Sequence, residues 1–158
     1  MAEQAKSPAA SYTEQVHLLT LANMNGYNRL YGGQLMQWID EVAGVVARRH
    51  SEKNVTTALV DRLQFRRPAY ANDILVLAGE ITYTGRTSME IRVRTYTEQA
   101  GGSRCLINEA YTVMVALDDK QHPTEVPGLL LKTDEERADW ELARRRRDER
   151  KKTSEGKA

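Results

Sequence analysis

Between Asn25 and Gly44 the chain sets an amide, a glycine pair and a carboxylate in close succession: Asn25, Gly32-Gly33 and Asp40. A carboxylate can take a proton or attack an electrophile, and an amide can hold a water or a polar substrate group. Unbonded N–H groups at a helix start can receive negative charge. Glycine there lets a substrate come close to the backbone. A loop, a helix N-terminus and an acid just over two turns later can form a small catalytic site.

The elements that position these residues follow from pattern. From 34 to 50 the period is helical, with Leu35, Ile39, Val42 and Val46 at the centre of an apolar stripe and Gln37, Glu41 and Arg48 opposite. At about 100° per residue, Asp40 falls beside Met36, Gly44 and Ala47 on the rim of that stripe. Glu41 points into the polar face, so Asp40 is the candidate acid. Trp38 is on the other rim. Ala43, Gly44 and Ala47 make a slim side, as if a second backbone approached there. Before the helix, Val16, Leu18, Leu19 and Leu21 suggest a short first strand. The loop 22–32 is rich in residues that tolerate positive φ, among them Asn25, Gly26 and Asn28.

After the helix come four strand patterns in a row, at 55–65, 73–84, 87–97 and 104–117, joined by short turns. Successive strands with tight turns imply an antiparallel sheet, and the long helix must cover one face of it. The class is α+β. Residues 1–12 are expected to be disordered. Thr133 and Glu136 form a capping box for a helix over 134–152, acidic first and basic later, which complements the macrodipole. That helix carries few apolar residues and is expected to dock weakly or project.

Composition narrows the function classes. A chain of 158 residues with 41% hydrophobic and 28% charged residues is one soluble domain with a tail, and a net charge of +1 gives no global pull toward nucleic acid. The single cysteine, Cys105, allows no intrachain disulfide and fits a reducing compartment. No apolar run approaches the ~20 residues of a membrane span, and the first residues lack a signal-peptide core. The expectation is a cytoplasmic protein with no membrane and no nucleic-acid partner. No metal-ligand cluster and no Ser-His-Asp or Cys-His pattern is visible, so neither a metal nor another cofactor is expected.

Taken together, several motifs resemble the hot-dog fold acyl-CoA thioesterases of the acyl-CoA hydrolase family. They are Asn25 ahead of Tyr31-Gly32-Gly33, the run from Met36 through Asp40 to Gly44, Val55-Thr56-Thr57, Val60-Asp61, Phe65 to Pro68, and Gly85 to Ile91. The resemblance spans roughly residues 15–128. It implies a hot-dog domain over 13–128, with a five- to six-stranded antiparallel sheet wrapped around the central helix, followed by a charged C-terminal helix and tail over 129–158. It implies acyl-CoA thioesters as substrates, hydrolysed to free acid and CoA. It also implies a homodimer, in a trimer of dimers, with sites at the dimer interface. Asn28 stands where family loops often carry glycine, and asparagine can take the same positive φ.

By that resemblance Asp40 is the catalytic carboxylate, as general base on water or as nucleophile through an anhydride, and Asn25 of the partner subunit positions water or carbonyl. The backbone N–H of Gly33 or Gln34 would polarise the thioester oxygen. Thr57, on the Val55-Leu59-Leu63 face of its strand, can orient the water. CoA carries phosphates, and Arg66, Arg67, and the turn residues Arg86, Thr87 and Ser88 are candidates to bind it. Tyr27, Tyr31 and Trp38 could cap or line an acyl tunnel. His50 reads as a helix C-terminal residue, Asp61 as a structural hydrogen-bonding residue and the 144–147 arginine run as a solvated helix face. The alternative function is an acyl-CoA-binding hot-dog protein without turnover.

Overall fold

The computed structural model describes residues 4–155. The order of elements is strand β1 (Thr13–Leu18), helix α1 (Gly32–Ser51), strands β2 (Asn54–Phe65), β3 (Ile74–Thr84), β4 (Ser88–Glu98) and β5 (Arg104–Leu117), and helix α2 (Asp134–Glu155). The strands form one five-stranded sheet in the order β1-β3-β4-β5-β2, and every neighbouring pair is antiparallel. The sheet wraps α1, which is the hot-dog arrangement. No helix is long and apolar enough to cross a membrane.

The apolar stripe of α1 builds the core. Leu35, Ile39, Val42 and Val46 are buried against Leu75, Leu77 and Ile81 of β3, Met89, Ile91 and Val93 of β4, and Met114 of β5. Each such side chain contributes about 1.5–3 kcal/mol by leaving water. Helix and sheet meet closely at Gly79, where a Cβ would stand 2.6 Å from Val42 Cγ1 and 3.0 Å from Val46 Cγ2. Any side chain there would push α1 off the sheet. The helix ends at Glu52, which is left-handed (φ 58°) and donates its N–H to Arg48 O at 2.8 Å. Arg48, Arg49 and His50 fill its last turn, where positive charge is favoured.

Three expectations change. The first strand stops at Leu18, so Leu19 and Leu21 fall outside it, and its apolar residues turn outward: Val16 and Leu18 are exposed, while Thr13, Gln15 and His17 face α1. The reason is the polar rim of the helix. Gln15 Nε2 donates to Glu41, Arg49 donates to Thr13 Oγ1 at 3.0 Å, and the His17 ring stacks flat on Trp38 at 3.8 Å. Burial pushes the His17 imidazole below its ordinary range, with Glu41 opposing only in part. Second, the disorder expected over 1–12 does not extend through residues 6–12; residues 1–3 lie outside the described residues. Lys6 donates its N–H to Gly128 O and accepts from Leu130 N, and Pro8–Ser11 form a 3-10 turn. This segment gains order by borrowing backbone partners from 128–130.

Third, α2 neither projects nor docks weakly. It packs on the outer face of the sheet through charge. Glu90 of β4, 2% exposed, accepts from Arg146 Nη2 at 2.7 Å and Nε at 3.1 Å and from Thr82 Oγ1 at 2.7 Å. Arg92 bridges Glu80 at 3.1 Å and Asp139 at 2.9 Å. The Arg146 guanidinium also lies 3.8 Å above the Tyr111 ring. Asp61 of β2 takes part as a structural residue, 3.6 Å from Arg150.

The far edge of the sheet, β2, is unpaired on its outer side. It is the second-longest strand, and Leu59, Val60 and Phe65 are 40%, 37% and 50% exposed. Two bulges interrupt its register with β5, between Thr57 and Leu59 and between Asp61 and Gln64, with Arg62 at φ 57°.

Candidate active site

Asp40 emerges from α1 on the side that faces β2. Thr57 is the β2 residue opposite Met114 of β5, just before the first bulge, and its hydroxyl donates to Asp40 Oδ1 at 2.5 Å. The Thr57 hydroxyl oxygen also lies 3.4 Å from Met114 Sδ. Thr57 is thus held between a carboxylate and a buried thioether. One carboxylate oxygen is fixed by this bond, and the exposed Asp40 side chain presents the other outward. Met114 was not singled out from the sequence. Its only signal there was membership of an apolar strand pattern, which marks core residues generally.

Asn25 stands elsewhere. Its Oδ1 accepts from the N–H groups of Tyr27 at 2.9 Å and Arg29 at 3.2 Å, and its N–H donates to Arg29 O at 2.7 Å. The amide therefore caps its own loop through its oxygen, and its NH2 takes no part in that cap. Asn28 takes the left-handed conformation, φ 59°, which closes this loop without a glycine. Asn25 lines a groove of about 390 Å³ with Arg29, Gly32, Phe65, Arg66 and Arg67. The groove lies at the N-terminal end of α1. Asp40 is not in its lining; it is eight residues further along the helix, about 12 Å at 1.5 Å per residue. Within one protomer, the fold keeps Asn25 and Asp40 apart.

The helix start is open. Leu35 is the first residue to donate into the helix, to Tyr31 O at 3.2 Å, so the N–H groups of Gly33 and Gln34 precede the intrahelical ladder. The Gln34 side chain is occupied sideways, accepting from Asn23 at 3.4 Å and donating to Gln37 at 3.5 Å. Gly33, Met36, Asp40 and Gly44 share one face of α1 by helical spacing. A Cβ at Gly44 would meet nothing within 4 Å, so the slim side of the helix opens to free space.

The candidate phosphate binders divide between two places. Arg66 and Arg67 border the Asn25 groove, and Arg67 also donates to Cys105 Sγ at 3.3 Å. Arg86, Thr87 and Ser88 form the β3–β4 turn at the opposite end of β2. Ser88 is level with Val115, and Val115 with Thr56. Backbone bonds from Ala116 to Thr87 O and from Val126 to Arg86 O hold this turn and leave the Arg86 side chain exposed. Two aromatic expectations resolve differently. Trp38 is buried against His17, on the side of α1 away from Asp40, and does not line the site; Tyr31 packs over Gly33. His50 is buried, with Nε2 2.8 Å from Pro127 O, and plays a structural part at the helix end. Among the described residues no His, Cys, Asp and Glu side chains gather in a metal-binding group.

Comparison with known proteins places this geometry. The family model of the thioesterase superfamily matches residues 27–103. A Bacillus subtilis protein named as an uncharacterized acyl-CoA thioester hydrolase is 35% identical over 128 residues, covering 80% of this chain and 74% of its own. The crystal structure of an apo-hexameric acyl-CoA thioesterase is 35% identical, with a TM-score of 0.91 over 96% of this chain and 98% of that one. An acyl-CoA hydrolase from Staphylococcus aureus, solved with butyryl-CoA, CoA and CoA disulfide, is 30% identical, with a TM-score of 0.91 over 97% and 94%. That enzyme has also been solved with alanine replacing one aspartate, one threonine and one asparagine.

Proposed function

The chain belongs to the thioesterase superfamily, among its acyl-CoA thioester hydrolases, and on that premise we propose how it divides the work of hydrolysis. Asp40 is the general base. Thr57 fixes one of its oxygens, and the other takes a proton from a water, which attacks the thioester carbonyl carbon. The carbonyl oxygen gains charge beside the Gly33 N–H at the start of α1, where unbonded donors and the helix dipole favour it. The tetrahedral adduct then expels the CoA sulfur, which recovers the proton from Asp40. The products are a free carboxylic acid and CoA.

The second protomer completes the site. β2 is a long, partly apolar, unpaired edge, and such an edge needs a partner. An antiparallel two-fold pairing of two β2 strands reverses one against the other. The Phe65 end of one protomer, where a Cβ on Gly32 would stand 3.6 Å from the Phe65 ring, then lies beside the Thr57 end of the other. Asn25 and Gly33 of one chain thereby approach Asp40 and Thr57 of its partner, and the open face at Gly44 admits the second helix. Arg66 and Arg67 from one side and Arg86, Thr87 and Ser88 from the other flank the same cleft, where they suit the phosphates of CoA. Trimers of such dimers agree with the hexamer described for the similar apo-thioesterase.

The observation that carries the reading is the 2.5 Å bond from Thr57 to Asp40 at an exposed strand edge. The asparagine, aspartate and threonine replaced in the S. aureus enzyme are spaced along that chain as Asn25, Asp40 and Thr57 are here, which supports the same assignment. The test measures thiol release from a panel of acyl-CoA chain lengths. Asp40→Asn should lose about 10²- to 10⁴-fold in kcat. Thr57→Val should lose less, since it removes one charge-assisted bond of about 1.5–3 kcal/mol. An Asp40→Asn protein that turns over like wild type would remove Asp40 from the role of base, and a wild-type protein that binds acyl-CoA but releases no thiol would favour binding without catalysis.

A further inference from the structure

Tyr31 sits over Gly33, whose N–H the proposed mechanism assigns to the thioester oxygen, and its hydroxyl is uncommitted. Its backbone is pinned on both sides: the N–H donates to Asn23 O at 2.9 Å, and the carbonyl accepts from Leu35 N at 3.2 Å. It is the residue before α1, in extended conformation, and it caps nothing with its side chain. The ring instead folds over the first turn. A Cβ at Gly33 would stand 2.6 Å from Cε1, 3.0 Å from Cζ and 3.2 Å from the hydroxyl oxygen of Tyr31. Only glycine at this position leaves room for the phenol. The residue is 58% exposed, and among the described residues its hydroxyl makes no hydrogen bond.

We propose that the Tyr31 hydroxyl is a second donor to the thioester carbonyl oxygen, beside the Gly33 N–H, and is therefore a catalytic residue. This rests on the hydrolytic reading above. A carbonyl oxygen bonded to the Gly33 N–H lies next to the side of Gly33 over which the phenol is folded. A hydroxyl and an N–H converging on one oxygen make a two-donor pocket for developing negative charge. The proton stays on the phenol oxygen throughout. The hydrogen bond strengthens as the carbonyl oxygen becomes an oxyanion, and relaxes when the C–S bond breaks and the carbonyl reforms. Such an interaction is worth more in the transition state than in the bound thioester, so it acts on kcat rather than KM. The glycine pair thus serves two purposes: it bares the backbone donor and seats the side-chain donor.

The experiment compares wild type, Tyr31→Phe, Tyr31→Leu and Asp40→Ala by steady-state hydrolysis, with thermal unfolding of each. Tyr31→Phe keeps the ring over Gly33 and removes only the hydroxyl. The expected result is a fall in kcat of about 100-fold at unchanged KM, with an unchanged melting temperature. Wild-type kcat in Tyr31→Phe overturns the proposal, and does so most plainly if Tyr31→Leu alone is impaired, because the ring would then serve packing. A rise in KM with kcat unchanged overturns it too, since that marks a lining residue of the acyl path. Asp40→Ala keeps the two claims apart. If wild type itself releases no thiol, the hydrolytic reading falls; if wild type is active, Asp40→Ala is inactive and Tyr31→Phe is normal, only the role of Tyr31 falls.

Discussion

The two faces of one sheet treat charge in opposite ways. On the outer face Glu90 is closed in by Arg146 and Thr82, with Arg150 3.5 Å away, and α2 shuts the cluster from water. On the inner face, at the β2 edge, Asp40 has one hydrogen bond from Thr57 and remains exposed. A carboxylate whose bonding capacity is filled and buried can only hold structure. A carboxylate that is oriented by one bond and left open can exchange a proton. The difference separates the acid that stabilises the fold from the acid to which we assign the chemistry, although both are single residues on regular elements.

That contrast can be broken from the buried side first. Glu90→Ala strands Arg146 and Arg150 against a desolvated sheet face, and should cost about 3–5 kcal/mol of stability. Denaturant unfolding measures it, and activity per folded molecule should persist. Asp40→Ala should show the reverse: lost turnover, with unfolding close to that of wild type. If Glu90→Ala is as stable as wild type, α2 is not held by this cluster and the contrast fails.

A smaller effect sharpens it. Glu80 has a raised carboxyl, chiefly from burial, which its Arg92 partner only partly offsets. An acid whose folded value lies above its unfolded value binds more protons folded than unfolded, so its contribution to stability declines as pH rises from about 4.5 through the folded value. Glu80→Gln removes that decline and leaves the Arg92–Asp139 pair in place. Melting temperatures at pH 5 and pH 8 should therefore favour the variant more at pH 8. A difference that does not change with pH would show that Glu80 does not titrate in this way.

The sequence disclosed the inner face better than the outer. Helical spacing separates Asp40 from Glu41, and strand alternation puts Thr57 on the side facing the helix, because both signals are local. The outer face hides from local signals. Glu90 and Arg92 alternate with apolar residues of β4 as solvated residues do, and α2 has the composition of a surface helix. Their partners are far apart in sequence: Glu90 and Arg146 are 56 residues apart. β1 is ambiguous for a related reason. Val16 and Leu18 mark a strand but do not say which face turns inward; α1 offers polar residues and Trp38 there, and both side chains end up exposed. Asn25 was legible as a residue type but not as a location, since the fold separates it from Asp40 within the chain.

The central claim is that the two are reunited across a dimer, and mixing single variants tests it most directly. Asn25→Ala and Asp40→Ala chains, each inactive alone, are unfolded together, refolded and assayed for thiol release from an acyl-CoA. A shared site predicts recovery of roughly a quarter of wild-type activity under random two-fold pairing, since half the dimers then carry one intact site of two. Activity that stays at the level of the separate variants would contradict the claim, because each chain would then hold its own complete site.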